Sequence, residues 1–480
     1  MVARYDAKTT LTLSDSPHLT HPIQKIWGET RDKTRIQIGS LGCGGQHGPN
    51  ACAMKIGERY VMTIDLATGN AVIGQSGGPT AVINESLVGV IEGLRRRGAG
   101  NPGNPIKKIL GMRHGVAGLI SGDLYDLTDY PHDRLQILAQ TPSAGLGSTR
   151  DKPDGAYCQR ILEACKEHDI RYFFYIGGND SSDTCRIVNE MANETGYELR
   201  CFHIPKTVDN DLVINDHTPG FPSAARFVAK ACMADFLDNI SLPGIKINVI
   251  MGRHAGFLTA ASALARRDDR YAHEGGSTDG PQLIYLPEVP FDTDRFVDDV
   301  AKLYDKRQRV HIAVSEGIAD KHGNSIGAML IKNAQTDAHG NVQLSGSGAL
   351  GDALSDLLKE KLTPQGGTAV RVRADTFGYV QRCFPDQSPV DQKEARGVGR
   401  FAAKLATSGD LDGSVAILRT SPIGVSQPYA ARFERIELSD VAAKTKHMPA
   451  EFIDGHNNVT QKFLDYCRPL VGDLPLYERI

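Results

Sequence analysis

Short apolar segments alternate with amphipathic segments along the chain from about residue 69 onward. Each apolar segment ends in a glycine-rich or polar turn, which is typical of buried β-strands. The pattern predicts five strands, at residues 70–74, 171–176, 201–205, 245–251 and 310–315. After the first strand, Ile83, Leu87 and Leu94 recur at helical spacing, and Gly98 follows as a C-cap. Strands that alternate with helices predict an α/β fold with mainly parallel sheets covered on both faces.

Composition narrows the class of protein. A chain of 480 residues, 40% of them apolar, can form two or three compact units. The net charge of −3 gives no indication of a nucleic-acid or membrane-surface partner, and no apolar run approaches the ~20 residues of a membrane span. The nine cysteines are scattered without a Cys-x-x-Cys pair, which predicts reduced thiols in a cytoplasmic protein.

Residues 1–68 differ from the rest of the chain. They are rich in Thr, His, Gly and charge, and neither a helical nor a strand period persists in them. We therefore predict a poorly packed N-terminal extension over 1–68. One hypothesis is a misassigned start codon, with the native protein beginning at Met54 or Met62.

The segment after the third strand carries the strongest chemical signal. Lys206 and Thr207 precede two carboxylates, Asp209 and Asp211, in the run Pro-Lys-Thr-Val-Asp-Asn-Asp. One carboxylate can take a proton from a hydroxyl, the other can hold Mg²⁺ or orient the first, and the lysine can neutralise phosphate charge. Asp and Asn are also common turn formers, so a solvated acidic turn accounts for this segment, taken alone, equally well.

Other strand ends carry polar residues of the same kind. Gly78 lies in a Gly-Gly turn at a helix N-terminus, which favours an anion, although a tight turn also needs glycine. A second Gly-Gly turn adds Asp180, and Arg253 and Glu316 follow two later strands. Arginine forks onto phosphate or sugar oxygens, and a carboxylate accepts hydrogen bonds from sugar hydroxyls. Surface ion pairs and solvated loops are the alternatives for these two residues.

Two basic segments complete the candidate chemistry. Arg150 lies in Leu-Gly-Ser-Thr-Arg-Asp-Lys, and the run from Arg371 to Arg382 holds three arginines and Tyr379. Clustered arginines can clamp the phosphate groups of a substrate. The alternatives are a solvated loop for the first segment and a charged strand face for the second.

Taken in order, these motifs resemble those of the phosphofructokinase family from about residue 70 to about residue 430. The matching motifs are the first Gly-Gly turn, Leu-Gly-Ser-x-Arg, Gly-Gly-x-x-Ser, Pro-x-Thr-x-Asp-Asn-Asp, Met-Gly-Arg, the strand-end Glu and Gly-x-x-Gln-Arg. The resemblance implies two Rossmann-like three-layer lobes, with the active site in the cleft between them. It implies a phosphoryl-donor lobe at 69–220 plus 381–430 and a fructose 6-phosphate lobe at 221–380 plus 431–480.

The resemblance also implies a reaction and residue roles. The reaction is Mg²⁺-dependent phosphate transfer to the 1-hydroxyl of fructose 6-phosphate, giving fructose 1,6-bisphosphate in glycolysis or gluconeogenesis. Asp209 would be the general base, with Lys206, Thr207, Asp211 and Arg253 as further catalytic residues. The implied substrate-binding positions are Gly78, Arg150, Thr207, Asp209, Met251, Gly252, Arg253, Glu316, Arg373, Tyr379 and Arg382. Arg373 matches a position that reaches into a neighbouring subunit, so the resemblance implies a homodimer or homotetramer.

Asp180 and Lys206 lie at the two positions that distinguish pyrophosphate from ATP as the phosphoryl donor in this family. ATP-using relatives generally carry glycine at both positions, whereas pyrophosphate-using relatives generally carry Asp and Lys. The residues of this chain therefore imply pyrophosphate as the donor and a readily reversible reaction. A carboxylate at Asp180 would repel a nucleotide α-phosphate, and Lys206 would add a cation beside pyrophosphate, so that charge decides the donor.

The chain departs from the family pattern at three positions. Asn179 stands where relatives often have an Asp that helps to bind Mg²⁺, so Asp180 and Asp209 are the expected metal ligands. Tyr379 replaces a frequent histidine, and Lys246 is a candidate substitute for a second cross-subunit arginine. Three alternatives stay open: an ATP-dependent 6-phosphofructokinase of the same fold, a nicotinamide-dependent oxidoreductase, and a catalytically silent sugar-phosphate-binding regulator.

Overall fold

The structure is a computed structural model that describes residues 66–266, 279–330, 348–425 and 427–477. It also gives three short strands near the N-terminus, β1 (Leu11–Thr12), β2 (Ala51–Ile56) and β3 (Arg59–Ile64), which form an antiparallel sheet in the order β1-β3-β2. Most of residues 1–68 lie outside the described part, so the prediction that this extension packs poorly stays a prediction. No described helix is both long enough and apolar enough to cross a bilayer.

The remaining strands of the described residues alternate with helices, as the hydrophobic pattern predicts. They are β4 (Gly69–Gln75), β5 (Ile106–Met112), β6 (Leu124–Asp126), β7 (Ile170–Gly177), β8 (Arg200–Pro205), β9 (Gly244–Ile250), β10 (Leu283–Tyr285), β11 (Arg309–Ser315), β12 (Val372–Thr376), β13 (Asp412–Arg419), β14 (Ala431–Ile436), β15 (Ile453–Asp454) and β16 (Asn458–Val459). All five strands predicted from the sequence are present, as β4, β7, β8, β9 and β11.

The helices of the described residues cover the two larger sheets. They are α1 (Ile83–Arg96), α2 (Val116–Ser121), α3 (His132–Gln140), α4 (Gly155–Glu167), α5 (Asn179–Glu194), α6 (Phe221–Ser241), α7 (Phe257–Ala261), α8 (Thr293–Arg307), α9 (Ile326–Leu330), α10 (Ala349–Leu362), α11 (Pro389–Ala406), α12 (Leu438–Val441) and α13 (Gln461–Val471). A 3₁₀ turn, Gly378–Arg382, precedes α11.

Two mainly parallel sheets organise the described part of the chain. The larger has the order β14-β13-β8-β7-β4-β5-β6, with parallel pairing from β13 to β5 and antiparallel strands at both edges. The smaller has the order β10-β11-β9-β12 and is parallel throughout. The α/β fold with two lobes is therefore confirmed. The strand β14 belongs to the larger sheet. The expected division had put residues 431–480 in the lobe of the smaller sheet. The remaining lobe boundaries stay predictions.

The helices α1 and α11 pack against each other on the larger sheet. A Cβ on Gly89 would lie 2.2 Å from the carbonyl oxygen of Arg396, and one on Gly399 would lie 2.2 Å from that of Ser86. The helices therefore approach so closely that only glycine fits at these two crossing points. Since α1 follows the first Gly-Gly turn and α11 follows the 3₁₀ turn, this packing fixes two segments of the candidate site relative to each other.

The C-terminal helix α13 packs onto the helices α6 and α7. Phe463, Tyr466 and Leu470 are almost fully buried there, in one apolar cluster with residues of both helices. This burial anchors the C-terminal segment beside the residues that follow β8.

Candidate active site

The carboxyl ends of β4, β7 and β8 lie side by side because these strands are neighbours in the larger sheet. Lys206 follows β8, and its side chain is only 3% exposed. Its backbone N–H donates to the carbonyl of Gly177 at 2.9 Å, and its Nζ donates to the carbonyl of Gly78 at 2.8 Å. The lysine thus lies under both Gly-Gly turns, at the sheet edge where ligands bind in such folds.

The loop that carries Arg150 is fastened to the first of these turns. The N–H of Gly77 donates to the carbonyl of Thr149 at 2.8 Å, and the Ser148 hydroxyl donates to the carbonyl of Gly77 at 2.6 Å. Asn84, at the start of α1, accepts from the N–H of Gly145 at 2.8 Å. These hydrogen bonds hold Arg150 close to the Gly-Gly turn.

The acidic segment after β8 forms a compact turn beside Lys206. The N–H of Asp209 donates to the Thr207 hydroxyl at 3.2 Å, and the Asn179 amide donates to the carboxylate of Asp211 at 3.2 Å. Asn210 lies between the two carboxylates and adopts a left-handed conformation with φ of 58°. The structure therefore brings Lys206, Thr207, Asp209, Asp211 and Asn179 together, as the strand-end pattern predicts.

The electrostatics of this turn are perturbed by burial. Burial raises the pKa of Asp209 to about 7, and the neighbouring Asp211 carboxylate adds to the rise. Burial also lowers the pKa of Lys206 to about 8, with a further lowering from the Arg382 guanidinium. A carboxyl whose pKa lies near neutrality is suited to take up and release a proton.

The smaller sheet contributes a second group of residues. Glu316 follows β11 and is buried, and one of its carboxylate oxygens lies 3.8 Å from Nε of Arg253. The Ser315 hydroxyl donates to the carbonyl of Gly252 at 2.7 Å, which ties the end of β11 to the Met251-Gly252-Arg253 segment. Gly317 is required here because a Cβ would lie 2.1 Å from the carbonyl oxygen of Arg253.

The 3₁₀ turn Gly378–Arg382 connects the two groups. The N–H of Met251 donates to the buried Gln381 amide oxygen at 3.3 Å, and a Cβ on Gly78 would lie 2.9 Å from Cζ of Arg382. Arg382 stacks on the Tyr379 ring, with 4.7 Å between Cζ and the ring centroid. Burial lowers the pKa of Arg382 while Asp209 opposes that lowering, so the guanidinium lies within electrostatic reach of the acidic turn.

Three of the sequence-based candidates lie apart from these contacts. Asp180 is exposed and pairs with Lys152 at 3.7 Å. Arg373, on the edge strand β12, pairs with Asp238 of its own chain at 3.1 Å. Their roles in donor choice and in a neighbouring subunit's site stay predictions. Lys246, the candidate substitute for a cross-subunit arginine, forms ion pairs with Asp235 and Asp375 of its own chain.

The structure also places three residues beside the acidic turn that the sequence interpretation missed. Lys446, Tyr466 and His217 all lie next to the acidic turn or the segment that follows it. His217 is fully buried between the carboxylates of Asp216, at 2.9 Å, and Glu394, at 2.6 Å. Nothing in their local sequence marks them, because each reaches its position through packing between distant segments.

Two side-chain oxygen atoms at the acidic turn and the neighbouring start of α5 are free to bind a metal ion. Oδ1 of Asn179 and Oδ1 of Asp209 are buried without a hydrogen-bond partner among the described residues. Within that part of the chain, no cluster of three His, Cys, Asp or Glu side chains forms a potential metal site. Mg²⁺ takes oxygen ligands and usually needs only one or two carboxylates besides substrate phosphates and water. The free oxygens of Asp209, in the acidic turn, and of Asn179, at the start of α5, are ligands of the type that Mg²⁺ takes.

Comparisons with known proteins agree with this geometry. The family model described as phosphofructokinase matches residues 70–406. A relative from Rhodospirillum rubrum named pyrophosphate–fructose 6-phosphate 1-phosphotransferase is 52% identical over 84% of this chain and 94% of its own length, and a relative of the same name from Halomonas elongata is 36% identical over 86% and 94%.

A solved structure gives the same result for the fold. The pyrophosphate-dependent phosphofructokinase from Nitrosospira multiformis superposes with a TM-score of 0.72 at 32% identity, covering 86% of this chain and 94% of the other. With a family model that matches well over half of its residues and relatives aligned along most of its length, this chain belongs to the phosphofructokinase family.

Proposed function

We propose that the protein transfers phosphate from pyrophosphate to the 1-hydroxyl of fructose 6-phosphate, giving fructose 1,6-bisphosphate and phosphate. The observation that carries this proposal is the buried Lys206 ammonium, which lies under the two Gly-Gly turns and beside Asp209. A buried cation at a strand end, flanked by a carboxyl of raised pKa, suits a small, highly charged donor. The names of the two relatives support the same substrates.

In this mechanism the acidic turn handles the proton. Asp209 accepts the proton of the 1-hydroxyl as that oxygen attacks a phosphorus atom of pyrophosphate. The bond from this phosphorus to the bridging oxygen breaks, and phosphate leaves with the bridging oxygen. By microscopic reversibility, the same carboxyl returns the proton to the 1-oxygen when the reaction runs in the reverse direction.

Basic side chains neutralise the negative charge of the phosphate groups in this mechanism. Lys206 donates to the Gly-Gly turn, and hydrogen bonds fasten the loop of Arg150 to the same turn, so both cations can neutralise the charge of the transferring phosphate. We assign the sugar phosphate to Arg253, Tyr379 and Arg382, with the backbone of Met251 and Gly252. Glu316 would accept hydrogen bonds from the sugar hydroxyls.

We propose that Asp209 and Asn179 hold Mg²⁺ through their orphaned oxygen atoms. When bound, Mg²⁺ would neutralise diphosphate charge at the transferring phosphate. Asp180 was the other expected ligand, but its carboxylate pairs with Lys152 at an exposed position. We therefore favour the Asn179 amide oxygen over Asp180.

A donor-swap assay tests the proposed function. Fructose 6-phosphate is incubated with either pyrophosphate or ATP, with and without Mg²⁺, and fructose 1,6-bisphosphate is measured. We expect turnover with pyrophosphate and Mg²⁺ and little with ATP. Asp180→Gly combined with Lys206→Gly should weaken pyrophosphate use. Turnover with ATP alone would contradict the proposed donor, and no turnover with either donor would favour a silent binding protein.

Assembly and location are also proposals. We propose a homo-oligomer, either a dimer or a tetramer, because the resemblance places Arg373 at a position that contributes to a neighbouring site. We propose a cytoplasmic location because the cysteines of the described part are all free thiols, six of them buried. Mass measurement in solution and fractionation of the native cell test the two proposals.

A further inference from the structure

The turn between the two carboxylates is held in an uncommon backbone conformation. Asn210 is fully buried and has a φ of 58°, in the left-handed region that most residues avoid. Asparagine tolerates this region, but the surroundings must fix it there. Because Asp209 and Asp211 flank Asn210, whatever holds Asn210 also sets the directions of both carboxylates.

The groups that hold Asn210 come from the C-terminal segment. Nζ of Lys446 donates to the Asn210 amide oxygen at 3.2 Å, and the Asn210 amide nitrogen donates to the Tyr466 hydroxyl at 2.9 Å. The backbone N–H of Lys446 donates to the carbonyl of Asp211 at 2.7 Å. Both ends of the Asn210 amide are therefore occupied by residues more than 230 positions away in the sequence.

The Lys446 ammonium uses its other two protons on the chain that follows the turn. It donates to the carbonyls of Asn215 at 2.9 Å and Asp216 at 3.0 Å, and the Tyr466 hydroxyl also donates to the carbonyl of Asp216, at 2.8 Å. An ammonium has three donors, and these contacts occupy all of them. The Lys446 ammonium thus links Asn210 to the backbone at Asn215 and Asp216.

We infer that Lys446 is a positioning residue for phosphoryl transfer, holding Asn210 so that Asp209 faces the substrate hydroxyl. The inference rests on the proposed function for the role of Asp209. It also extends the catalytic apparatus beyond residues 70–406, the part matched by the family model, into the C-terminal segment. Without the ammonium, the Asn210 amide oxygen and the Asn215 carbonyl would lose this donor, and the Asp216 carbonyl would keep only the Tyr466 hydroxyl. The turn would then relax.

Steady-state kinetics of Lys446→Met, Lys446→Arg and Lys444→Met test the inference. Lys444 is an exposed lysine two residues away and serves as the matched control. We expect Lys446→Met to lower kcat at least 30-fold while the KM values for both substrates change less than about threefold. Lys446→Arg should retain much of kcat, and Lys444→Met should equal the wild type. A Lys446→Met enzyme that keeps kcat within threefold overturns the inference, as does an equal loss in both Lys446 variants.

A second pair of measurements separates positioning from a general loss of structure. Ethylammonium should restore part of the kcat of Lys446→Ala but leave Lys444→Ala unchanged; a folded Lys446→Ala enzyme that does not respond counts against the inference. If the Lys446 variants do not fold, Tyr466→Phe removes only a hydroxyl, and we expect it to lower kcat without changing KM. An unchanged kcat in Tyr466→Phe would then overturn the inference.

Hydrogen–deuterium exchange distinguishes this inference from the proposed function. Peptides covering 206–216 should exchange faster in Lys446→Met than in the wild type or Lys444→Met, whatever donor the enzyme uses. Unchanged exchange overturns the positioning role. Absence of wild-type turnover with pyrophosphate would instead overturn the proposed function, and the kinetic comparison would then use the donor that supports turnover.

Discussion

Replacing Lys206 with methionine removes one buried charge from the phosphate site and leaves its volume nearly unchanged. Methionine fills the same kind of space as the lysine stem, so the packing under the Gly-Gly turns should persist. The variant loses the hydrogen bond from Nζ to the carbonyl of Gly78 and the positive charge at that position. With a pKa of about 8, Lys206 is mostly protonated at pH 7, so the charge is present in the wild-type enzyme under assay conditions.

The size of the effect follows from Coulomb's law. Two unit charges at 4 Å with an effective dielectric constant of 20 interact by about 4 kcal/mol. The Arg382 guanidinium remains at the Gly78 turn and compensates part of this loss. Because each 1.36 kcal/mol corresponds to a factor of ten, we expect kcat/KM for pyrophosphate to fall by roughly 10²- to 10³-fold in Lys206→Met.

The assay measures initial rates at pH 7 with pyrophosphate varied and fructose 6-phosphate saturating. Lys107→Met is the control, because Lys107 is an exposed lysine on β5 that pairs with Asp169 at 2.9 Å. It should leave kcat/KM unchanged, and the melting temperature should show that both variants are folded. A Lys206→Met enzyme whose kcat/KM for pyrophosphate stays within threefold of the wild type would refute the charge argument.

Three further changes test the acidic turn and its surroundings. Asp209→Asn keeps the shape of the side chain but removes the proton acceptor, so kcat should fall by about 10²- to 10⁴-fold, measured by single-turnover kinetics, while fructose 6-phosphate still binds. Asn179→Asp adds a carboxylate beside Asp211, so half-maximal activity should need less Mg²⁺, and the melting temperature without Mg²⁺ should drop because like charges repel. Burial opposes the charge of His217, but the hydrogen bonds that its ring donates to the Asp216 and Glu394 carboxylates outweigh burial and raise its pKa to about 9. Its stabilising contribution, of order 3 kcal/mol, is complete below pH 6.5 and disappears as pH rises through about 9, so His217→Gln should lower the melting temperature at pH 6 much more than at pH 9.5.

Local sequence pattern accounts for the part of the site that lies at strand ends. The apolar strand and the polar residues after it are adjacent in the chain, so the position of Lys206, Thr207 and Asp209 follows once β8 is recognised. Neighbouring parallel strands then bring the Gly-Gly turns to the same edge. The placement of these residues could be predicted because it depends on short segments and on one general property of parallel sheets.

Contacts between distant segments could not be predicted in the same way. Lys446 reaches Asn210 only because α13 packs onto α6 and α7, and no spacing in the sequence reports that packing. The strands β13 and β14 were not among the five predicted strands, so their antiparallel pairing at the edge of the larger sheet was missed as well. Asp180 follows a Gly-Gly turn as expected, yet its side chain is exposed, whereas Ser181 and Ser182 in the same helical turn are buried.

The first Gly-Gly turn shows how two explanations of one motif can each hold at a different residue. Gly77 has a φ of 75°, so this position needs glycine for the backbone turn itself. Gly78 does not have a positive φ, and a Cβ there would lie 2.9 Å from Cζ of Arg382 and 3.1 Å from its Nε. Glycine at 78 therefore makes room for a guanidinium that approaches the same backbone as Lys206. A tight turn and the proposed anion site are therefore compatible in this segment, because Gly77 allows the backbone turn and the missing side chain of Gly78 leaves room for the Arg382 guanidinium.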